Sequence, residues 1–170
     1  MIDQMNRILL FLLLFSACLT ACKKSTTAEE KIRAQLAIDN NIITNYLSAH
    51  SLTAKVVDSA GVSTGIYYII NEQGTGDDLY TAATQVTVGY TATLLTTGKQ
   101  VVSTDTFHPS YALGGTLRGW QFGIPNVKKG GTITLYVPSH YAYGPYPQPT
   151  LGLPANAILI FKITVYNITN

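Results

Sequence analysis

Four aromatic side chains, Tyr90, Trp120, Tyr143 and Phe161, are the residues through which this chain is expected to act. Rings of this kind bind an apolar group and strip water from it, and a buried tyrosine needs a partner for its hydroxyl, which is the first hint of a site. Trp120, the single tryptophan, sits in the stretch YALGGTLRGWQFG from Tyr111 to Gly123. Gly114 and Gly115 bend the backbone there, and Leu117 to Trp120 reads as a loop entering a short helix. Flanked by Gly119 and Gly123, the indole is open to close approach on its face, as the floor of an apolar pocket would be. Taken alone, the segment is more simply explained by an ordinary core tryptophan. His50, His108 and His140 stand apart at no metal-ligand spacing, so structural or surface roles are expected for them and no metal or cofactor is implied; His108 is the one expected near the pocket mouth.

Strands must position these rings. Ile66 to Asn71 is rich in β-branched and aromatic residues and ends at a Gly74 to Asp77 turn. Val86, Val88, Tyr90, Ala92 and Leu94 alternate with smaller polar residues, so Tyr90 points inward with the valines. A hairpin at Thr96 to Gly98 leads to a second strand, Lys99 to Thr104. Pro125 limits the helix at Trp120 to about two turns. Ile133, Leu135 and Val137 define another half-buried strand, a proline-rich loop follows Tyr143, and Ala157 to Ile168 is a long strand with Phe161 on its inner face. The expected fold is α+β, an antiparallel sheet of about five strands wrapped on one short helix, with the four rings converging between sheet, helix and loop.

With 170 residues, 46% hydrophobic and 12% charged, the chain fits one globular domain plus appendages. A net charge of +2 without a basic cluster argues against nucleic acid as a partner. Residues 1–21 have the charged start and short apolar centre of an export signal, too short to span a bilayer. Leu19, Thr20, Ala21 and Cys22 resemble the lipobox of bacterial lipoproteins, which implies lipidation of Cys22, a lipid anchor in the cell envelope and, from Lys23, the outer membrane. Cys18 fits that pattern less well, because Phe15 stands where an aliphatic is usual. Both cysteines lie in the leader, so no disulfide is expected in the fold. Residues 22–28 read as a linker and 29–61 as an amphipathic helix with a connecting loop. Ile32, Leu36, Ile43 and Leu47 form the apolar stripe of that helix, with Lys31, Arg33, Gln35 and Asn40 on the opposite face. Docking on the domain is its default use, and a homodimer through the helix is the alternative. The main domain is expected to span 62–170.

The succession Val88 to Ala92, Gly98 Lys99, Leu113 Gly114, Leu117 to Trp120, Gly123, Lys129 Gly130, Tyr141 to Gly144, Leu153 Pro154 and Ala157 to Phe161 resembles the FKBP-type peptidyl-prolyl cis-trans isomerases, over roughly Gly65 to Asn170. The resemblance implies an enzyme acting on proline-containing polypeptides and assisting folding of envelope proteins. It makes Trp120 the floor under the substrate proline, Tyr90 and Phe161 walls, and Tyr143 the hydroxyl that bonds the peptide. Thr116 and Leu117 take the pair before the helix, where the second backbone N–H holds a substrate carbonyl, and Leu153 is an aliphatic of the flap. Val101, Val102 and Tyr111 complete the expected substrate contacts.

Departures from the family pattern fall on the wall. Where an aromatic and an aspartate are usual after the hairpin, Val101 and Val102 stand here, and Val102 offers no acceptor to Tyr90. The family's phenylalanine ahead of Tyr111 is also missing. Asp105 as substitute acceptor and Phe107 as substitute ring are the two compensations open in the sequence. An inactive or weakly active proline-binding module with chaperone function is therefore the alternative to the enzyme.

Overall fold

Thr27 and Glu30 open the first helix by reciprocal capping: the Thr27 N–H donates to Glu30 Oε2 at 2.9 Å and the Glu30 N–H to Thr27 Oγ1 at 3.1 Å. The structure, a computed structural model, describes residues 27–77 and 79–170, so the export signal, the lipobox and Cys22 lie outside the described residues. Helix α1, Ala28–Ala49, is unbroken through Asn40 and Asn41. Its buried face differs from the expected stripe, because Ile32 stays exposed and Asp39 joins Ile43 and Leu47 in burial. Gln35 and Asn40, assigned by spacing to the polar face, are half-buried.

Seven strands form one sheet: β1 Lys55–Ser59, β2 Val62–Glu72, β3 Gln85–Leu94, β4 Lys99–Ser103, β5 Ser110–Ala112, β6 Thr132–Val137 and β7 Leu159–Thr169. Their order is β1-β2-β6-β7-β3-β4, with β5 paired to β3, and every pairing is antiparallel. The long central pairs β3–β7 and β6–β7 arise from the strongest period-two runs in the sequence. Helix α2, Arg118–Gly123, lies across the concave face. A Cβ on Gly119 would fall 2.5 Å from Val137 Cγ1, and one on Gly123 2.5 Å from Leu135 Cδ1. The two glycines thus let the α2 backbone rest directly on β6.

The two faces of the sheet carry separate cores. Val86, Val88, Leu135, Val137, Phe161, Ile163 and Val165 pack under α2 with Trp120 and Ile124. On the other face Ile43 and Leu47 of α1 cover Leu95, Tyr136 and Ile158. The amphipathic helix therefore docks on the sheet, as an apolar stripe seldom stays wet.

Residues 55–61, expected as part of the loop connecting the helix to the main domain, instead form β1 and the turn of the β1–β2 hairpin. Its two-residue turn, Ala60 and Gly61, has φ of 51° and 76°, the geometry of a type I′ turn. Alanine at the first of these positions bears the left-handed penalty that asparagine largely escapes. Ala60→Asn is expected to raise the unfolding free energy by about 1 kcal/mol, read as a higher urea midpoint at unchanged m-value.

Candidate functional site

One cavity of about 190 Å³ opens between the concave sheet, α2 and the loop after β6. Each wall has a traceable origin. Tyr90 and Ala92 enter from β3, and Leu159 and Phe161 from β7, by simple alternation. Val101 and Val102 are neighbours in β4, so a regular strand would aim them to opposite faces. A β-bulge resolves this: Ala92 pairs with Val102 and Thr93 with Gln100, which leaves Val101 unpaired and both valines in the wall.

Trp120 forms the base and is 4% exposed. Three rings meet it edge-on: Tyr90 at 4.7 Å and 87°, Phe161 at 5.5 Å and 89°, and Tyr111 at 6.3 Å and 73° between centroids and planes. Its Nε1 donates to nothing among the described residues. At the α2 entrance the Leu117 carbonyl accepts from the Trp120 and Gln121 N–H groups at 2.9 and 3.1 Å. Thr116 Oγ1 donates back to the Leu113 carbonyl at 2.7 Å, and Gln121 Nε2 donates to the Thr116 carbonyl at 2.8 Å. This ring of bonds holds the turn while the Leu117 N–H makes no bond among the described residues.

The remaining wall comes from two loops. Tyr143 follows the 3-10 turn Ser139–Tyr141. In the proline-rich loop, Gln148 and Leu153 exchange backbone bonds of 2.9 and 3.0 Å, which turns Leu151 and Leu153 toward the cavity. All ten pocket residues singled out from the sequence thus surround one space: Tyr90, Val101, Val102, Tyr111, Thr116, Leu117, Trp120, Tyr143, Leu153 and Phe161. Ala92, Gly115, Leu151 and Leu159 also line it and were not singled out. Ala92 and Leu159 share a face with Tyr90 and Phe161 two residues away, so alternation contained the signal for them; nothing periodic marks Leu151.

Neither compensation considered for the altered wall occurs. Asp105 is exposed and its Oδ1 accepts from Ser103 Oγ at 2.6 Å. Phe107 is 71% exposed. Instead the Tyr111 hydroxyl, from the neighbouring strand β5, is the polar group that acts on Tyr90. His108 is not at the pocket mouth: it stacks on Tyr166 at 3.8 Å over Gly89, and all three histidines rest against tyrosine rings.

Burial pushes the Tyr90 phenol up to about 12, and the neighbouring Tyr111 and Tyr143 hydroxyls add to it. Burial raises the Tyr143 phenol as well. Both therefore stay protonated donors at neutral pH. The folded-state value of Tyr90 lies above the ordinary 10.0, so between 10.0 and about 12 the folded chain keeps a proton that the unfolded chain releases. Stability contributed by Tyr90 is present below 10.0 and is lost across that window. Urea unfolding as a function of pH is expected to show a steeper alkaline decline in the wild type than in Tyr90→Phe.

The model of the family described as FKBP-type peptidyl-prolyl cis-trans isomerase matches residues 76–166. The chain is 32% identical over 146 residues to the FKBP-type peptidyl-prolyl cis-trans isomerase FkpA of Escherichia coli K12, a match covering 83% of this chain and 53% of that protein. It is 37% identical over 86 residues to FK506-binding protein 1 of Candida glabrata, covering 49% of this chain and 75% of that one. Among solved structures, the crystal structure of FkpA from Escherichia coli superposes with a TM-score of 0.63 at 28% identity, over 96% of this chain and 72% of that one. The chain spans about half the length of the FkpA relatives it matches.

Proposed function

This chain belongs to the FKBP-type peptidyl-prolyl cis-trans isomerase family, and from that premise we propose that it binds Xaa-Pro segments in the aromatic cavity and speeds their cis–trans exchange, assisting the folding of envelope proteins. The observation that carries the reading is the cavity itself, floored by Trp120 and walled by Tyr90, Tyr143 and Phe161. An apolar cavity of roughly 150 Å³ accepts a benzene ring, so about 190 Å³ has room for a pyrrolidine ring.

Rotation about the Xaa-Pro bond is opposed by amide resonance, with a barrier of about 18–20 kcal/mol. A nucleophile is unnecessary. A site that strips water from the carbonyl and fits the twisted amide better than either planar form lowers the barrier directly. In this scheme the free Leu117 N–H takes one substrate carbonyl and the Tyr143 hydroxyl another, while Thr116, Tyr111, Val101, Val102 and Leu153 shape the walls. Cis–trans exchange in a short Leu-Pro or Phe-Pro peptide, followed by NMR with and without the protein, tests it; exchange no faster than in solvent alone would sink the enzyme reading.

The aliphatic wall at Val101 and Val102 favours a second reading, a proline-binding module without the rate. Unchanged Trp120 fluorescence on addition of the peptide or a macrolide FKBP ligand would remove that one. The Tyr111 hydroxyl beside Tyr90 supports the first, since it supplies a polar neighbour where Val102 offers none.

The same reading extends to location. Cys22 carries a lipid anchor that holds the domain at the bacterial envelope, in the outer membrane, with residues 22–28 as tether, 29–61 as lead-in and 62–170 as isomerase domain. The lipobox supports this. Fatty-acid labelling that persists in Cys22→Ser would contradict it. A homodimer through α1 would have to use Ile32 and Ile38, the large apolar residues that the helix leaves exposed.

A further inference from the structure

Asp39 is fully buried in the middle of α1, on the face of the sheet opposite the cavity core. Its Oδ2 accepts from the Ser139 N–H at 2.8 Å and from Ser139 Oγ at 2.6 Å, and its Oδ1 accepts from Gln35 Nε2 at 2.7 Å. Ser139, 1% exposed, opens the turn that leads to Tyr143. Its own carbonyl accepts from the Ala142 N–H at 2.9 Å and the Gly144 N–H at 2.8 Å, the two backbone groups on either side of Tyr143. The same segment leans on α2, since the Tyr141 carbonyl lies 3.2 Å from where a Gly119 Cβ would stand.

We propose that Asp39 is a positioning residue for the pocket: through Ser139 it fixes the backbone that presents the Tyr143 hydroxyl, which makes the leading helix part of the site. The inference rests on the function proposed above for Tyr143. Stability alone does not account for the choice of residue. A buried carboxylate is costly to desolvate, and a well-packed apolar side chain commonly serves stability as well or better. What a carboxylate adds is direction, here three hydrogen bonds of which two grip one residue of the loop. The sequence offered no sign of this, because Asp39 and Ser139 are a hundred residues apart.

A double-mutant cycle with Tyr143 separates positioning from general loosening. Asp39→Ala is expected to lower kcat/KM for a Leu-Pro peptide about tenfold, the effect of roughly one lost charge-assisted bond, and less than twofold further in a Tyr143→Phe background. Equal losses in both backgrounds, or no loss in the wild type, overturn the proposal. Ser139→Ala, which keeps the backbone donor, serves if Asp39→Ala does not fold; a loss of about threefold is expected, again absent with Tyr143→Phe. The Tyr143 ring resonances give a readout independent of catalysis. They are expected to shift and broaden in either variant while the Trp120 indole signal holds. Unmoved Tyr143 signals overturn the positioning role whether or not the wild type is active, and moved signals in a protein whose wild type is inactive overturn the isomerase reading alone.

Discussion

Trp120→Leu is expected to remove at least nine-tenths of the proposed isomerase activity while the chain still folds. Trp120 has edge contacts with Tyr90, Tyr111 and Phe161, and each such pair contributes about 0.5–1.5 kcal/mol beyond its buried area. Leucine keeps the site apolar but loses all three contacts and leaves a void, so a destabilisation of about 2–4 kcal/mol is expected. The kinetic loss has a different origin. With the floor gone, a proline ring has nothing to rest on, and a deficit of about 1.4 kcal/mol in transition-state binding is already tenfold in rate. Parallel measurements distinguish the effects: kcat/KM by peptide exchange at a temperature where far-UV circular dichroism shows the variant folded, and stability by urea unfolding. Activity within twofold of the wild type would mean that substrate does not sit over Trp120. Because the chain has one tryptophan, its emission in the wild type reports on the cavity without interference.

That prediction rests on residues legible in the sequence, and the reason is periodicity. Tyr90 and Phe161 lie in ten- and eleven-residue strands whose alternation fixes which way each side chain points. Trp120 was legible through its glycines, since Gly119 and Gly123 are needed where α2 touches Val137 and Leu135. Alternation fails wherever pairing slips. The unpaired residue Val101 in the β3–β4 ladder is invisible to a period-two reading, yet it is what turns two adjacent valines into one wall. The β1–β2 hairpin was hidden for a related reason. Ala60 occupies a turn position that usually announces itself with asparagine, and Gly65, at φ 75° within β2, reads as a loop residue. The hydroxyl that lies beside Tyr90 was out of reach because tertiary packing, not sequence spacing, decides which neighbour comes near. Asp105 and Phe107 were closer in kind to the family residues, whereas Tyr111 was closer in space.

The leading helix was legible as amphipathic, but the sequence left its partner open, and the second large effect follows from what it covers. Ile43 is 0% exposed, and with Leu47 it closes over Leu95, Tyr136 and Ile158 on the outer face of the sheet. The proposed division of the chain at residue 62 is one of organisation; the packing crosses it. Truncating a fully buried isoleucine to alanine costs about 2–5 kcal/mol, the upper part of the range applying where the surroundings cannot collapse. Here the opposing surface is a sheet strand already fixed by β2 and β7, so Ile43→Ala is expected to cost about 3–4 kcal/mol, against a total that for a domain of this kind is about 5–15 kcal/mol. Ile38→Ala, on the exposed side of the same helix, is the control and should change stability by less than about 0.5 kcal/mol. Urea unfolding of the two variants decides it. If Ile43→Ala unfolds with the wild-type midpoint, α1 is a lead-in that merely rests on the sheet, and the large cost of its removal disappears. If the midpoint falls as expected and Trp120 emission reports the same single transition as far-UV circular dichroism, then helix and cavity unfold together, and the outer face of the sheet contributes to holding the rings of the inner face in place.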